Sequence, residues 1–465
     1  MKVLLVSANT ETISMPTLPL GVAAVAAATR NASHEVALLN LMFEGDPNSG
    51  LRSAIADFCP DVIGISVRNI DDQKMEQPKF LLAPVREVIA SCRSLSRAPI
   101  ILGGAGYSIF PESALHYLGA DMGIQGEGEV VFPLLVDRIS KGEEVRDLPG
   151  VHSPRAVNVG AHGQAPPQPG GAGGVSIKAH DHAPLQPGVA GSVSIKAHDH
   201  APRRYFEEYL DNLPLPEPRL WIPSGSDHRG LWVPVQSRRG CPLDCAFCST
   251  SAIEGRAIRS RSPRQVVRWL AELRETGCRS FNFVDNTFNL PLDYAKDLCR
   301  QVIQADLDLQ LWCLVYPKWI DGELVELMRR AGCRQISFGF ESGSDRMLRQ
   351  LNKQYDKEEV GVVSKMFAEA GIERMGFLLL GGPRETKESV EESLSFAESL
   401  KLETLKITVG LRIYPQTPLA KTALAEGAIK ADDDLLFPRF YLAPELRDWL
   451  VERVAAYKAS HPWVN

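Results

Sequence analysis

Two long stretches of this chain alternate short β-branched runs with helix-periodic segments, and that alternation restricts the fold more than any other feature. In residues 1–150, strand-like runs at 3–6, 36–39, 62–67, 100–102 and 122–125 alternate with helical patterns at 21–30, 51–58, 79–93, 111–118 and 130–140. Strands joined in this way pair in parallel through crossover helices, giving a doubly wound sheet whose ligands sit at the carboxyl ends of the strands. A second series has strands at 233–237, 280–284, 309–314, 335–340, 374–380 and 404–411 and helices at 263–276, 292–305, 322–331, 357–370 and 387–400. Six strands with five helices fit an open, partial barrel better than a closed eightfold one. The tail reads mainly as one helix, 443–460, capping that barrel. The predicted fold class is therefore α/β: a Rossmann-like doubly wound domain at 1–150, a linker at 151–204, a partial (β/α)6 barrel at 205–427 and a short helical extension at 428–465.

The linker stands apart in composition. Residues 151–203 contain no Phe, Trp or Tyr, and Gly and Pro supply 15 of the 53 positions. Residues 168–184 recur almost unchanged at 186–202, a period of 18. A segment this poor in apolar bulk cannot offset its ordering entropy, which predicts a flexible linker or surface insertion. It holds six of the ten histidines, including His180, His182, His198 and His200. These read either as a metal-collecting tract or as histidines copied by duplication; with no cysteine nearby to complete a site, duplication is favoured.

Charge and apolar content exclude some classes. Lys plus Arg is 51 and Asp plus Glu is 57, a formal charge of −6, which excludes a globally basic nucleic-acid coat. The most apolar early stretch, 18–28, is far shorter than the ~20 residues of a membrane span. Residues 1–8 read as a buried first strand rather than a signal peptide, and the odd count of nine cysteines suits a reducing compartment, so a cytoplasmic location is expected.

Three of the nine cysteines fall within eight residues, Cys241, Cys245 and Cys248, directly after a predicted strand. Three thiolates on a short loop can hold three irons of a [4Fe-4S] cluster and leave the fourth open to another ligand. Zinc normally takes two spaced pairs, and no second pair is present. Cys59, Cys92, Cys278, Cys299, Cys313 and Cys333 are isolated, most of them on predicted core faces where free cysteine packs as a small hydrophobe. In the first domain, Gly103 and Gly104 follow the fourth strand, and Gly126, Glu127 and Gly128 follow the fifth. Such turns admit a nucleotide-like tail over the sheet edge, or are simply tight turns.

With these motifs the sequence resembles the cobalamin-dependent radical S-adenosylmethionine enzymes, over everything except the repeat-bearing linker. The resemblance implies a cobalamin-binding first domain, a radical barrel, and three cofactors: a [4Fe-4S] cluster on Cys241, Cys245 and Cys248, S-adenosylmethionine at its open iron, and cobalamin. It implies contacts to S-adenosylmethionine from Phe247, from Asp285 and Asn286 after the second barrel strand, from Glu341 and Ser342 in a fourth-strand motif with Leu348 and Lys353 downstream, and from Gly381. It implies cobalamin contacts from Ser66, Arg68, Gly103, Gly104, Gly126, Glu127 and Gly128. The family signature that gives cobalt a histidine is absent, and His34 and His116 are the only histidines before residue 150. Arg68 is the candidate for the lower face of the corrin, with a salt bridge to Asp71 or Asp72 as the other reading. In the sixth-strand motif, Gln416 stands where relatives often carry glycine, which puts the local turn in question.

The implied reaction is radical methylation of an unactivated carbon in a small-molecule, lipid or natural-product substrate. Cobalamin-dependent radical cyclisation, ring rearrangement or oxidation without methyl transfer is the alternative. An external electron donor such as flavodoxin or ferredoxin is implied as a partner, with no nucleic acid. Two reactive centres acting on one substrate must flank it, so the strand-end faces of the two domains should oppose each other. Tyr107, Trp232, Trp312, Tyr316 and Trp319 are candidates either for a cavity lining or for core.

Overall fold

The computed structural model describes residues 1–11, 17–154, 204–223 and 231–465. Six strands build the first sheet: β1 (Lys2–Ser7), β2 (Glu35–Asn40), β3 (Val62–Ser66), β4 (Ile100–Gly103), β5 (Met122–Ile124) and β6 (Val151–His152). Their order is β2-β1-β3-β4-β5-β6, parallel except for β6, which runs antiparallel to β5. The helices are α1 (Leu20–Asn31), α2 (Pro47–Phe58), α3 (Leu82–Leu95), the short α4 (Ala105–Ile109), α5 (Pro111–Leu118) and α6 (Gly128–Lys141). Strand alternation divides the core. Val3 and Leu5 of β1 pack with Val22, Ala26, Val131 and Leu135 of α1 and α6, while Leu4 and Val6 join the core on the other face. Burial on both faces explains why these strands read as continuous apolar runs.

Residues 151–152, assigned from composition to the linker, are the edge strand of this sheet. The other linker histidines, His162, His180, His182, His198 and His200, lie outside the described residues.

After the short helix α7 (Pro218–Trp221), the second domain forms a parallel six-stranded sheet curved as a partial barrel. Its strands are β7 (Val233–Val235), β10 (Ser280–Phe283), β11 (Gln310–Val315), β12 (Cys333–Glu341), β13 (Glu373–Leu380) and β14 (Thr404–Val409), adjacent in sequence order. Between β7 and β10 lies a two-stranded hairpin, β8 (Arg238–Arg239) with β9 (Arg259–Ser260), carrying the helix α8 (Thr250–Glu254). The outer helices are α9 (Pro263–Glu275), α10 (Leu292–Ala305), α11 (Gly322–Arg330), α13 (Lys357–Glu369) and α14 (Lys387–Ser399), with a short α12 (Asp345–Gln350) after β12. In β13 and β14 buried and half-buried residues alternate, one face against the helices and one toward the barrel interior. Asp321, Asp356 and Thr386 cap α11, α13 and α14 with side-chain oxygens, which fixes where the helices start.

Two expectations about the C-terminal region are corrected. The last barrel strand stops at Val409, because Gly410, at φ 74°, turns the chain. Beyond that turn, β15 (Leu411–Arg412) pairs antiparallel with β16 (Phe440–Tyr441), and α15 (Pro418–Ala425) lies between them in sequence. The terminal helix α16 covers only Leu450–Ser460, since Pro444 opens a separate 3-10 turn. Val464 then bridges to Leu405, so the tail closes the β14 edge. Among the described residues no helix is long and apolar enough to cross a membrane.

Candidate active site

A cavity of about 330 Å³ opens where β1, β3, β4 and β5 end, floored by Leu5, Gly64, Ile101 and Phe132 and roofed by barrel residues including Pro234, Gln236, Arg239 and Glu254. The strand ends of the first domain thus face the second. Ser66, Arg68, Gly103, Gly104, Gly126, Glu127 and Gly128 all line it. Gly104 is required there: at φ 100° it is in a region closed to other residues, and a Cβ would lie 2.5 Å from the Val67 carbonyl oxygen. A Cβ on Gly103 would meet nothing within 4 Å, so this turn leaves open space beside bare backbone.

An apolar floor, bare backbone at the rim and the first turn of α6, which no side chain caps, suit a nucleotide-like tail with a phosphate. Trp269, 1% exposed, also lines the cavity, and its indole N–H has no partner. Arg68 is open to the cavity, and surrounding protein lowers its pKa. The salt bridge weighed for it does not form. Asp71 is instead paired with Arg412 at 2.8 Å, and Asp72 accepts from the Lys74 and Lys79 backbone. His34 lies by the N-terminal amine and Asp137, away from the cavity.

Glu127 lines the cavity but spends its carboxylate on the neighbouring domain. One oxygen is 2.6 Å from Arg259 and 3.4 Å from Arg239, and the other accepts from the Glu207 backbone N–H at 2.8 Å. Glu129 is 2.5 Å from Arg239. Burial alone would raise Glu129, but Arg239 beside it holds its carboxyl below the ordinary range.

The three loop cysteines line a second, larger pocket of about 900 Å³, together with α8 and residues 415–418. The loop starts at Gly240, at φ 87°, where a Cβ would collide with the Ala257 carbonyl of the facing hairpin arm. Burial pushes the Cys241 and Cys245 thiols up, while Arg238 beside Cys241 and Lys353 beside Cys245 pull them down. Cys248 Sγ lies 3.2 Å from Thr250 Oγ1. Among the described residues no three ligating side chains gather on a single point. Thiolates bound to separate irons of a cluster stand farther apart than ligands of one ion, so this donor set suits a cluster. Arg238 is fully buried, with Nη2 against Thr287 and with Nε and Nη1 unpartnered, a fixed positive charge under the loop. Of the isolated cysteines, Cys92, Cys278, Cys299, Cys313 and Cys333 are buried in the core, and Cys59 is exposed.

The residues expected to contact S-adenosylmethionine do not converge on one open surface. Phe247 and Glu341 do meet. Lys353 Nζ is 3.0 Å from Glu341 and sits over the rings of Phe247, Tyr316 and Tyr355 at 5.1, 5.8 and 5.9 Å. Burial opposes the Lys353 charge most strongly, but Glu341 together with Tyr355, Cys245 and Tyr316 outweighs it and holds the ammonium well above its usual range.

Asp285, Ser342 and Gly381 are buried, with their polar groups bonded within the protein. Asp285 is fully buried and accepts from Ser237 N at 2.8 Å, Ser237 Oγ at 2.5 Å and Arg238 N at 3.1 Å, fixing the strand that leads into the cysteine loop. Burial raises its pKa to about 6. Ser342 is also fully buried, bonded to Ser393 Oγ at 2.9 Å and accepting from Ser344 N. Gly381 donates its N–H to Glu385 in a closed turn. Gln416 has φ 62°, so the turn keeps a glycine-like backbone with a long side chain on it, at the edge of the cysteine pocket.

Asn286 turns to a residue that sequence reasoning missed. Its Nδ2 donates at 2.5 Å to Glu254, which also accepts from Gly240 N at 3.0 Å and Gln236 Nε2 at 2.9 Å. Among the described residues Glu254 is the one side chain lining both cavities. Arg239 and Arg259 were missed as well. Of these, only the Arg238-Arg239 pair ahead of the cysteines carried a signal, two adjacent charges at the end of a buried strand. Tyr107, Trp232, Trp312, Tyr316 and Trp319 line neither cavity: Tyr107 is core, and Trp232 packs edge-on against Trp312.

Residues 235–397 match the Radical SAM superfamily, and residues 6–136 match the B12 binding domain. An uncharacterized methyltransferase of Pyrococcus horikoshii is 26% identical over 92% of this chain and 84% of its own. The tryptophan 2-C-methyltransferase of Streptomyces laurentii is 28% identical over 90% of this chain and 74% of its own. Among solved structures, the radical S-adenosylmethionine methyltransferase TsrM of Kitasatospora setae, with cobalamin and a [4Fe-4S] cluster bound, superposes with a TM-score of 0.79 at 22% identity, covering 100% of this chain and 90% of that one.

Proposed function

Since this chain belongs to the radical SAM superfamily and carries a B12 binding domain ahead of its radical SAM domain, we propose that it is a cobalamin-dependent methyltransferase acting on a carbon of a small molecule. The observation that carries this reading is that the cavity at the first domain's strand ends and the pocket of the three cysteines share a single wall residue, Glu254. A substrate at that junction reaches both. When bound, the cluster and S-adenosylmethionine supply one-electron chemistry and cobalamin supplies a transferable methyl group.

The chain's own part is positional. Cys241, Cys245 and Cys248 would hold the cluster, with Arg238 and Lys353 offsetting its negative charge. The Lys353–Glu341 pair, walled by Phe247, offers a cation and an anion to the zwitterionic end of S-adenosylmethionine. Ser66, Gly103, Gly104, Gly126 and Gly128 would carry the cobalamin tail, and Arg68, open to the same cavity, would place a positive charge beside the corrin. Glu254, held by three donors, would present a fixed carboxylate to the substrate and exclude water between the two centres. A flavodoxin- or ferredoxin-like donor would supply electrons.

Anaerobic reconstitution with iron, sulfide, methylcobalamin and S-adenosylmethionine, followed by mass spectrometry of reactions with candidate substrates, tests the reading. Formation of S-adenosylhomocysteine with a product heavier by one methylene is expected. Deoxyadenosine with no methylated product would move the assignment to cobalamin-dependent radical chemistry without methyl transfer. Reconstituted with iron and sulfide alone, Cys245→Ala should lose the cluster's visible absorbance and most of the iron, and retention of both would refute the cluster ligands.

A further inference from the structure

The loop Gly126–Glu127–Gly128–Glu129 presents an electrostatic problem. It brings two carboxylates to the first turn of α6, where a bound phosphate would need the uncapped N–H groups and the positive helix end. Carboxylates are themselves good ligands for a helix N-terminus, so left alone they would occupy the site or repel an anion from it.

Glu127 is drawn away by the other domain, whereas Glu129 is neutralised where it stands, with its own backbone N–H as well as Arg239 holding its carboxyl down. Arg259, on β9, is 2.6 Å from Glu127 and also bonds the Glu207 carbonyl at 2.9 Å and the Glu254 carbonyl at 2.7 Å. Arg239, on β8, takes Glu129 at 2.5 Å and Glu127 at 3.4 Å, and donates to Gln236 Oε1 at 3.0 Å. All four charged side chains are at most 12% exposed, so solvent hardly screens them. Gly126 forms a bridge to Tyr205, which leads into the segment that Arg259 also holds.

We propose that Arg259 and Arg239 of the radical SAM domain are positioning residues for the cobalamin of the B12 domain. They neutralise Glu127 and Glu129, and Arg259 keeps Glu127 off the α6 N-terminus, leaving its N–H groups to the tail phosphate. The cobalamin site is then incomplete without the cluster hairpin, although neither arginine belongs to the first domain. This inference rests on the cobalamin reading of the cavity.

The test is equilibrium dialysis of hydroxocobalamin against the full-length protein with its cluster reconstituted, with iron content measured in parallel. Arg259→Met should weaken binding about tenfold or more at unchanged iron content, because the buried Glu127 carboxylate loses its nearest cation beside the phosphate and keeps only Arg239 at 3.4 Å. Adding Glu127→Gln to that variant should restore most of the affinity, since the repelling charge is gone. A merely structural arginine would not be rescued by this change. Unaltered affinity in Arg259→Met, or a soluble double variant that recovers nothing, overturns the proposal. Should Arg259→Met not fold, Arg259→Lys, which keeps a cation but loses the fork, should show an intermediate loss, and full affinity there overturns it equally. Failure of the unsubstituted protein to bind hydroxocobalamin would instead refute the cobalamin reading itself.

Discussion

Glu385 shows how much one buried side chain is asked to do in this fold. One carboxylate oxygen accepts the Gly381 and Gly382 N–H groups, the second at 2.9 Å, and the other oxygen is buried without a partner. Burial raises its pKa to about 7, against the pull of those two N–H groups. The folded state therefore binds a proton that the unfolded chain releases near pH 4.5. The stabilisation from that proton is full below pH 4.5 and is lost as pH rises through about 7, amounting to at most about 3 kcal/mol. Glu385→Gln mimics the protonated acid and should flatten this dependence. Its melting temperature relative to the unsubstituted protein should be higher at pH 8 than at pH 5, and a constant difference across that range would refute the argument. At this scale the sequence was only partly legible. The cysteines and the glycine turns could be read because their spacing and backbone demands are local. The partners of Asp285 and Ser342 could not be read, because a polar residue after a strand looks the same whether it faces a ligand or holds the next loop. Gln416 was flagged correctly as unusual, and its φ of 62° is the glycine-like geometry that position needs.

At the scale of elements, legibility followed periodicity. All eleven strands foreseen are present within a few residues, because each is a largely apolar run closed by a turn. The hairpin β8–β9, α8 and α12 were missed because two- to six-residue elements have no period to detect. Yet α8 and the hairpin do most of the organising. Glu254, the last residue of α8, joins Gly240 at the start of the cysteine loop, Asn286 after β10 and Gln236 after β7. Glu254→Gln keeps one carbonyl acceptor and the same volume, whereas Glu254→Ala frees all three donors. The alanine variant should therefore lose cluster iron on reconstitution, and the glutamine variant should retain it while turnover falls at least tenfold through loss of the fixed charge. Equal iron loss in both would mean that charge, not the three contacts, holds the loop.

At the scale of the molecule, the domains are clamped at two places. One is the Glu127 and Glu129 pairing with Arg239 and Arg259. The other is Arg412, on β15, whose Nε is 2.8 Å from Asp71 after β3, with both side chains 3% exposed or less. Arg412 also donates to the carbonyls of Ile413 and Leu435, and its guanidinium lies over Phe110 at 5.7 Å and Tyr414 at 5.1 Å. Phe437 packs beside it against Phe80 and Tyr117 of the first domain. None of this was visible in the sequence, since the partners are 341 residues apart and neither lies in a motif. The sequence led to the expectation that the two strand-end faces oppose each other, and two buried ionic contacts hold them so, each resisting hinge motion about the other. Arg412→Met leaves Asp71 buried without its partner, a loss of about 3 to 5 kcal/mol concentrated at the interface. The expected result is a calorimetric trace that splits into two transitions, one per domain, where the unsubstituted protein gives one. If cobalamin fills the cavity that Glu127, Glu129 and Arg239 line, it should draw the two transitions back together by binding only the closed form. A single transition in Arg412→Met that merely shifts downward would mean that the domains are coupled through the remaining interface and that this clamp adds stability without cooperativity.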